Sequence, residues 1–548
     1  MRRIAVLAVA ALSAVLVLLV VTGVSGAQSS SGQGSTDTNG TKQTYIMLYR
    51  EPAVPSDAKN VIEKAGGTLA QSYNEIGVAI ARSDNASFRD NVMKDRRIEG
   101  AAPTKDYAVK LRDDLAGKED AKEDAQGPPA GDLPNAPATD TDTFSPLQWD
   151  MRQIHTNEVH KTTGGSPSVV VGDIDTGIDT NHPDLTPNID LANSTSCLSG
   201  APTPNPADDN GHGTHTAGTI AAANNGLGIV GTAPNVKIAA IKAGDANGFF
   251  FPEAVICAFV WAGSHHVDVV NNSYFADPFL YNCRNDEVQR AIWKAEQRAI
   301  LYAQKQGVTV VSSIGNESDD LAHPAYDVTS PDFPPGQEQE RAITNACVVI
   351  PVEIPGVIGV TGVGNTRQAD SDDDPNDYLK AFFSSYGVGV AEVTAPSGDS
   401  VFGRTAEAPN GRVLSTYPAD KPCVRSVKEP TSDPNYPTAV YCYLQGTSMA
   451  APHVSGVAAL IISRFGDLQN PQNGKMRPEQ VAAYLQQTAD PQPCPTTLPP
   501  GYETFTRPAP GGVTPEPQAC QSGQDYNSWY GSGQVNASKA VTHTASNG

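Results

Sequence analysis

Short apolar runs rich in Val, Ile and Ala recur from about residue 169 onward, and longer stretches with helical spacing separate them. The runs predict strands over 169–175, 237–243, 267–271, 309–314 and 357–363. The spaced stretches predict helices over 213–223, 252–265, 286–306 and 453–464. Strands that alternate with helices predict an α/β fold with a parallel sheet covered on both faces. A smaller pattern precedes it: strands at 44–49, 76–81 and within 98–109, and helices at 57–65 and 87–94. That unit, 44–109, reads as a small α+β, ferredoxin-like domain.

Two stretches carry no such period. Residues 28–43 begin Ser/Gly/Thr-rich and read as a flexible linker; 110–144 are dense in Asp, Glu, Lys, Pro and Ala and read as a protease-sensitive one. The first residues differ again. Met1-Arg2-Arg3 precedes an apolar run over 4–21, and Gly23, Ser25, Gly26 and Ala27 follow it. A basic start, an apolar run and a small-residue site predict a signal peptide over 1–27. The run is long enough to span a bilayer, so an uncleaved tether is the alternative.

Net charge is -22 over 548 residues, which disfavours nucleic acid and anionic membrane surfaces as partners. Eight cysteines, an even count, suit an oxidising exterior. Cys423 with Cys442 and Cys494 with Cys520 are plausible local pairs; Cys197, Cys257, Cys283 and Cys347 leave three pairings open.

Three segments carry candidate chemistry. Ser448 lies in Gly446-Thr447-Ser448-Met449-Ala450-Ala451-Pro452, a small-residue turn before an apolar helix. A helix start favours developing negative charge, which suits a nucleophile. Asp175 ends the predicted strand Val169–Asp175 within Asp175-Thr176-Gly177; Asp173 and Asp179 flank it as solvated or capping carboxylates. His212 opens a predicted helix in Asn210-Gly211-His212-Gly213-Thr214-His215. Acid, base and nucleophile in the order Asp, His, Ser match one of the known orders for serine hydrolysis. His215 and His453 read as structural, His215 through hydrogen bonds within its helix.

These segments resemble the Asp, His and Ser motifs of the subtilisin-like serine proteases. Val308–Glu317, which contains Gly315-Asn316, is similar to that family's strand bearing an oxyanion donor, and Phe382–Gly387 with Ala395-Pro396 resembles the strands before its serine. The resemblance covers about 147–541 and implies a subtilisin-like three-layer fold over 145–548, including the Pro-rich tail. It implies that residues 44–109 are an inhibitor-like propeptide, an intramolecular inhibitor removed by self-processing within 110–144. Two insertions, 185–208 and 418–441, enlarge the domain.

By the same resemblance Ser448 would attack, His212 would shuttle the proton, Asp175 would orient His212, and Asn316 would hold the oxyanion. Ser273, Tyr274, Phe275 and Gly315 would bind substrate, Phe275 standing where the family has glycine. Gly248-Phe249-Phe250-Phe251 would either meet apolar side chains or pack in the core. The loop 221–231 resembles the family's calcium loop, with Asp184 and the Asn225 side chain as ligands beside the carbonyls of Ala223, Leu227 and Ile229; hard Ca²⁺ prefers such oxygens. The expectation is a secreted, monomeric endopeptidase acting on proteins or peptides. A catalytically silent peptide-binding relative is the rival.

Overall fold

The computed structural model describes residues 42–104, 140–275, 279–330, 338–368, 377–523 and 525–543. The expected signal peptide, nearly all of the first linker, and most of the second lie outside the described residues.

The N-terminal unit is a four-stranded sheet of β1 (Gln43–Tyr49), β2 (Gly67–Tyr73), β3 (Val78–Ser83) and β4 (Ile98–Pro103), with α1 (Ala58–Lys64) and α2 (Phe88–Val92). Its order is β2-β3-β1-β4 and every pairing is antiparallel. Successive strand residues face opposite sides, and β1 uses both. Tyr45 and Met47 pack with Ile62, Phe88 and Val92 beneath the unit's own helices. Ile46 and Leu48 point the other way, into a core shared with the larger domain.

The larger domain is built on β5 (Val170–Asp175), β6 (Thr195–Ser196), β7 (Lys237–Lys242), β8 (Val269–Asn272), β9 (Thr309–Ser313), β10 (Ile358–Arg367), β11 (Tyr378–Lys380) and β12 (Val393–Pro396). The strand order is β11-β10-β9-β8-β5-β7-β6, and β12 pairs with β10. All neighbours are parallel except β10 with β11. The sheet is thus mixed and mostly parallel.

Helices α3 (His212–Ala221) and α6 (Thr447–Phe465) cover one face; α4 (Pro252–Ser264) and α5 (Glu287–Lys305) cover the other. Alternation along β5 decides which residues meet which helices. Val170 and Ile174 face α4 and α5, whereas Val171 faces α3 and α6. Asp173 and Asp175 share the parity of Val171, so both carboxylates point toward the helices that carry His212 and Ser448.

Helix α6 starts at Thr447 rather than at the expected 453, with Pro452 inside it. The 418–441 insertion forms part of a three-stranded antiparallel sheet, β13 (Val413–Tyr417), β14 (Ser426–Pro430) and β15 (Thr438–Leu444). Strand β15 runs directly into the Ser448 turn. Both expected local disulfides are present, and the remaining pairs are Cys197–Cys257 and Cys283–Cys347. In the tail, Tyr502, Trp529 and Tyr530 join Tyr378 and Phe382 in one aromatic core.

The N-terminal unit sits on α4 and α5. Arg298 donates to the carbonyls of Tyr49 at 2.8 Å and Ile76 at 3.1 Å, and Tyr73 donates to Gly200 O at 2.6 Å. Arg89 pairs with Glu287 at 2.8 Å. Among the described residues no helix is long and apolar enough to cross a membrane.

Candidate active site

Asp175 is the last residue of β5, at the carboxyl end where open α/β sheets place their sites. His212 is the first residue of α3, and its Nδ1 lies 2.8 and 2.9 Å from the two Asp175 oxygens. Both side chains are buried. The approach depends on Gly213: a Cβ there would stand 2.2 Å from Gly177 O. Asp208, which sequence reading left unassigned, ties the two elements. It accepts from Thr176 Oγ1 at 2.9 Å and from Thr214 N at 3.0 Å, so one carboxylate joins the Asp175 turn to the start of α3. Its position shortly before a helix was the available signal, since acidic residues cap helix starts.

Ser448 is the second residue of α6, where a backbone N–H has no acceptor within the helix. Asn316 follows β9 and reaches this turn. Its Oδ1 accepts from Thr447 N at 2.8 Å and Thr447 Oγ1 at 2.9 Å. With the oxygen anchored, Nδ2 is the end left to donate. Gly315 bends the chain into place with φ of 108°, a left-handed conformation that favours glycine. Its N–H donates to Thr447 Oγ1 at 3.2 Å.

Ser273 is buried and bonded to the Ser448 turn: its hydroxyl donates to Ser448 O at 2.9 Å, and the Ser448 hydroxyl donates to Ser273 O at 3.1 Å. Behind it, Asn271 Nδ2 donates to Ser273 Oγ at 3.1 Å and to Asp173 Oδ1 at 2.9 Å. Asp173 also accepts from Thr216 Oγ1 at 2.7 Å. It is therefore neither solvated nor a cap, contrary to expectation. Burial, followed by the charge of Asp175, pushes its pKa well above the usual carboxylate range.

The segment expected to bind substrate is packed inward. Tyr274 is buried and stacks on Phe250 with centroids 4.2 Å apart. Phe249 and Phe250 are core residues, so of the two readings of that loop packing describes them. Phe275 is half-buried against the cluster of Ile314, Leu321 and Tyr281.

Comparison with known proteins places this arrangement. Residues 166–531 match the model of the Subtilase family. The chain belongs to the subtilase family. It is 28% identical over 354 residues to fervidolysin of Fervidobacterium pennivorans, covering 62% of this chain and 40% of that protein. To subtilisin E of Bacillus subtilis (strain 168) it is 26% identical over 450 residues, covering 82% and 87%. The fervidolysin crystal structure aligns with a TM-score of 0.58 at 21% identity, over 94% of this chain and 63% of that one. An epidermin leader peptide processing serine protease from Staphylococcus aureus aligns with a TM-score of 0.59 at 20% identity, over 92% and 100%. The structural likeness supports the fold. By family, this subtilase is classed with the subtilisin-like serine proteases.

In the loop expected to hold calcium, hydrogen-bond donors surround Asp184 on all but one of its oxygens. Ala223 N donates to Asp184 O at 2.8 Å, while Ile229 N at 3.0 Å and Tyr441 OH at 2.9 Å donate to Asp184 Oδ2. Asp184 Oδ1 is buried with no hydrogen-bond partner among the described residues. Asn225 Oδ1 accepts from Leu227 N at 2.9 Å. Asp142, expected in the linker, lies on the same loop and accepts from Gly226 N at 2.5 Å and Asn225 N at 3.2 Å. Burial raises its pKa to about 6, and burial raises that of Asp184 well above the ordinary range. Among the described residues no three His, Cys, Asp or Glu side chains converge on one point. The fit therefore rests on the orphaned Asp184 oxygen, which suits a hard cation.

Two nearby histidines are structural. His215 Nε2 lies 3.0 Å from Cys442 O, outside its own helix, and His453 sits between Met449 O and Asp150.

Proposed function

We propose that this subtilase is a secreted serine endopeptidase, made as a proenzyme and processed by its own active site. The observation that carries the reading is the buried Asp175–His212 pair, 2.8 Å apart, beside a serine at a helix start braced by Asn316 through Thr447. In the reaction Ser448 turns its hydroxyl from Ser273 O toward His212 Nε2 and attacks the scissile carbonyl. His212 takes the proton, and Asp175 fixes the ring's tautomer and stabilises its cationic form. The oxyanion is held by Asn316 Nδ2 and the Ser448 N–H. His212 then protonates the leaving amine, and water hydrolyses the acyl-enzyme by the same route in reverse.

Residues 44–109 act as the propeptide; their packing on α4 and α5, with Arg298 bonded to Tyr49 and Ile76 and with Tyr73 bonded to Gly200, supports this. The apolar run 4–21 acts as the signal for export. Calcium, held by Asp184, Asn225 and the carbonyls of Ala223, Leu227 and Ile229, supplies structural charge balance. The substrates are proteins or peptides, and the enzyme works as a monomer.

A fluorophosphonate probe tests the reading. Ser448 becomes labelled in the processed protein, and Ser448→Ala yields an unlabelled, unprocessed precursor. A processed protein that takes no label points instead to a peptide-binding relative.

A further inference from the structure

Lys242 ends β7 directly beside Asp175, its register partner on β5. Register partners in a sheet project to the same face, so the ammonium arm and the carboxylate of Asp175 leave the sheet side by side. Lys242 is buried, at 3% exposure. Its Nζ donates to Thr176 O at 2.5 Å and to Asp209 Oδ1 at 2.6 Å. Thr176 follows Asp175, and Asp209 lies three residues before His212. One ammonium thus joins the turn that carries the acid to the loop that carries the base.

The bonds continue to the imidazole. Thr176 N donates to Asp175 Oδ1 at 2.7 Å, and Asp175 holds His212 Nδ1. Thr176 Oγ1 accepts from Gly213 N, the residue after His212, at 2.9 Å. Asp208 grips the same two segments but brings negative charge. Lys242 brings the opposite sign, and brings it to a dry place: its side chain is 4% exposed, against 47% for Asp209. Water screens the charge of Asp209 more than that of the buried ammonium, so the ion pair leaves a positive field at the catalytic residues. Ionisable groups around His212 include Asp175 and Asp173 on β5, Asp208 and Asp209 before α3, His215 within it, and Tyr417 on β13 beside Gly211. None of these is a permanent cation. A cation near an imidazole disfavours its protonated form, and a general base must be unprotonated to act.

We propose that Lys242 is a positioning residue of the catalytic pair, fixing the Thr176 peptide that orients Asp175 and keeping His212 basic at mildly acidic pH. This rests on the endopeptidase reading and adds a charge requirement to it.

The test uses the processed full-length enzyme and one peptide substrate across pH. Lys242→Met keeps most of the stem but loses the charge and both hydrogen bonds. Its kcat should fall about tenfold with KM little changed, and the acid limb of kcat/KM should move up by about half a pH unit. Lys242→Arg should return the limb toward its original place. A purely structural lysine would alter the melting temperature and leave the limb where it is, so an unmoved limb in Lys242→Met overturns the proposal. Asp209→Asn gives a second reading on a half-exposed side chain, should the Met variant not fold. It removes the counter-charge of the ammonium, so the limb should move down; an unmoved or raised limb overturns the proposal. Fluorophosphonate labelling of the unmodified enzyme separates this failure from failure of the endopeptidase reading: an enzyme that takes label, with a profile indifferent to both residues, lacks only this role for Lys242.

Discussion

Ser273 and Ser448 hold each other by two reciprocal hydrogen bonds, hydroxyl to carbonyl, at 2.9 and 3.1 Å. Pro452 explains one of them. It stands four residues after Ser448 in α6 and has no N–H, so the helix cannot satisfy Ser448 O. Ser273 Oγ takes that place. The other bond directs the Ser448 hydroxyl to a carbonyl, from which it would turn to His212 in the proposed mechanism.

Ser273→Ala removes the donor to a buried carbonyl. A loss of about 1–3 kcal/mol in stability is expected from the unsatisfied group. The turn loosens, so kcat should fall about tenfold with KM little changed. Thermal melting in a Ser448→Ala background and active-site titration of the single variant read the two effects. An unchanged kcat would show that Ser273 only fills space.

Asp173 tests how the buried network is charged. Its pKa is raised well above the usual carboxylate range, first by burial and then by the neighbouring Asp175, which favours its neutral form. Asp173→Asn should therefore leave the acid limb of the kcat/KM profile in place, because no charge near His212 is lost. Asp173→Leu removes the acceptor that Thr216 and Asn271 share and should cost on the order of 2–3 kcal/mol. A shifted acid limb in Asp173→Asn would mean that Asp173 carries charge in the working enzyme.

Calcium removal is expected to act through Asp184, whose Oδ1 has no protein partner among the described residues. Chelator should lower the melting temperature, and Asp184→Asn should lower it and abolish the chelator effect. Melting that ignores chelator in the parent protein removes calcium from the account.

His182 and His215 predict acid sensitivity. His182 lies 3.1 Å from Val440 O and His215 3.0 Å from Cys442 O, both on the strand leading to Ser448. Burial lowers their pKa values to about 4 and about 3. The unfolded rings, near 6.5, take up protons that the fold refuses. Their contribution is thus complete above pH 6.5 and declines as pH falls toward 4, by about 1.4 kcal/mol per pH unit for each ring. Urea midpoints of Ser448→Ala at pH 7 and pH 5 measure the slope, and His182→Gln should reduce it.

The sequence made the catalytic strands and helices legible because their Val, Ile and Ala runs are buried on both sides, and period and length agree. Strand β2 was not legible: Gly67–Tyr73 is an edge strand carrying Thr68, Gln71 and Ser72, with no apolar period. The start of α6 was misplaced because Pro452 reads as a helix boundary, whereas the structure satisfies the freed carbonyl from Ser273. The candidate site residues come from motifs, and the structure brings Asp175 to His212 and Asn316 to the Ser448 turn. Asp208 and the Asp173–Asn271 link were not legible, since they depend on which strands become neighbours.

Glu296 is the clearest misfit in the core. It lies mid-way along α5, fully buried, and neither carboxylate oxygen has a hydrogen-bond partner among the described residues. Burial, then the charge of Glu253, pushes its pKa well above the usual range. A carboxyl raised in this way stabilises the fold below its unfolded value, and that contribution is lost as pH rises through the folded one. Glu296→Met keeps the length and helix propensity without the polar end. It should stabilise the Ser448→Ala protein at pH 8 by on the order of 2 kcal/mol, with a smaller gain at pH 4. Thermal melts at the two values decide it. Destabilisation at pH 8 would mean that Glu296 meets a cationic group in the folded protein.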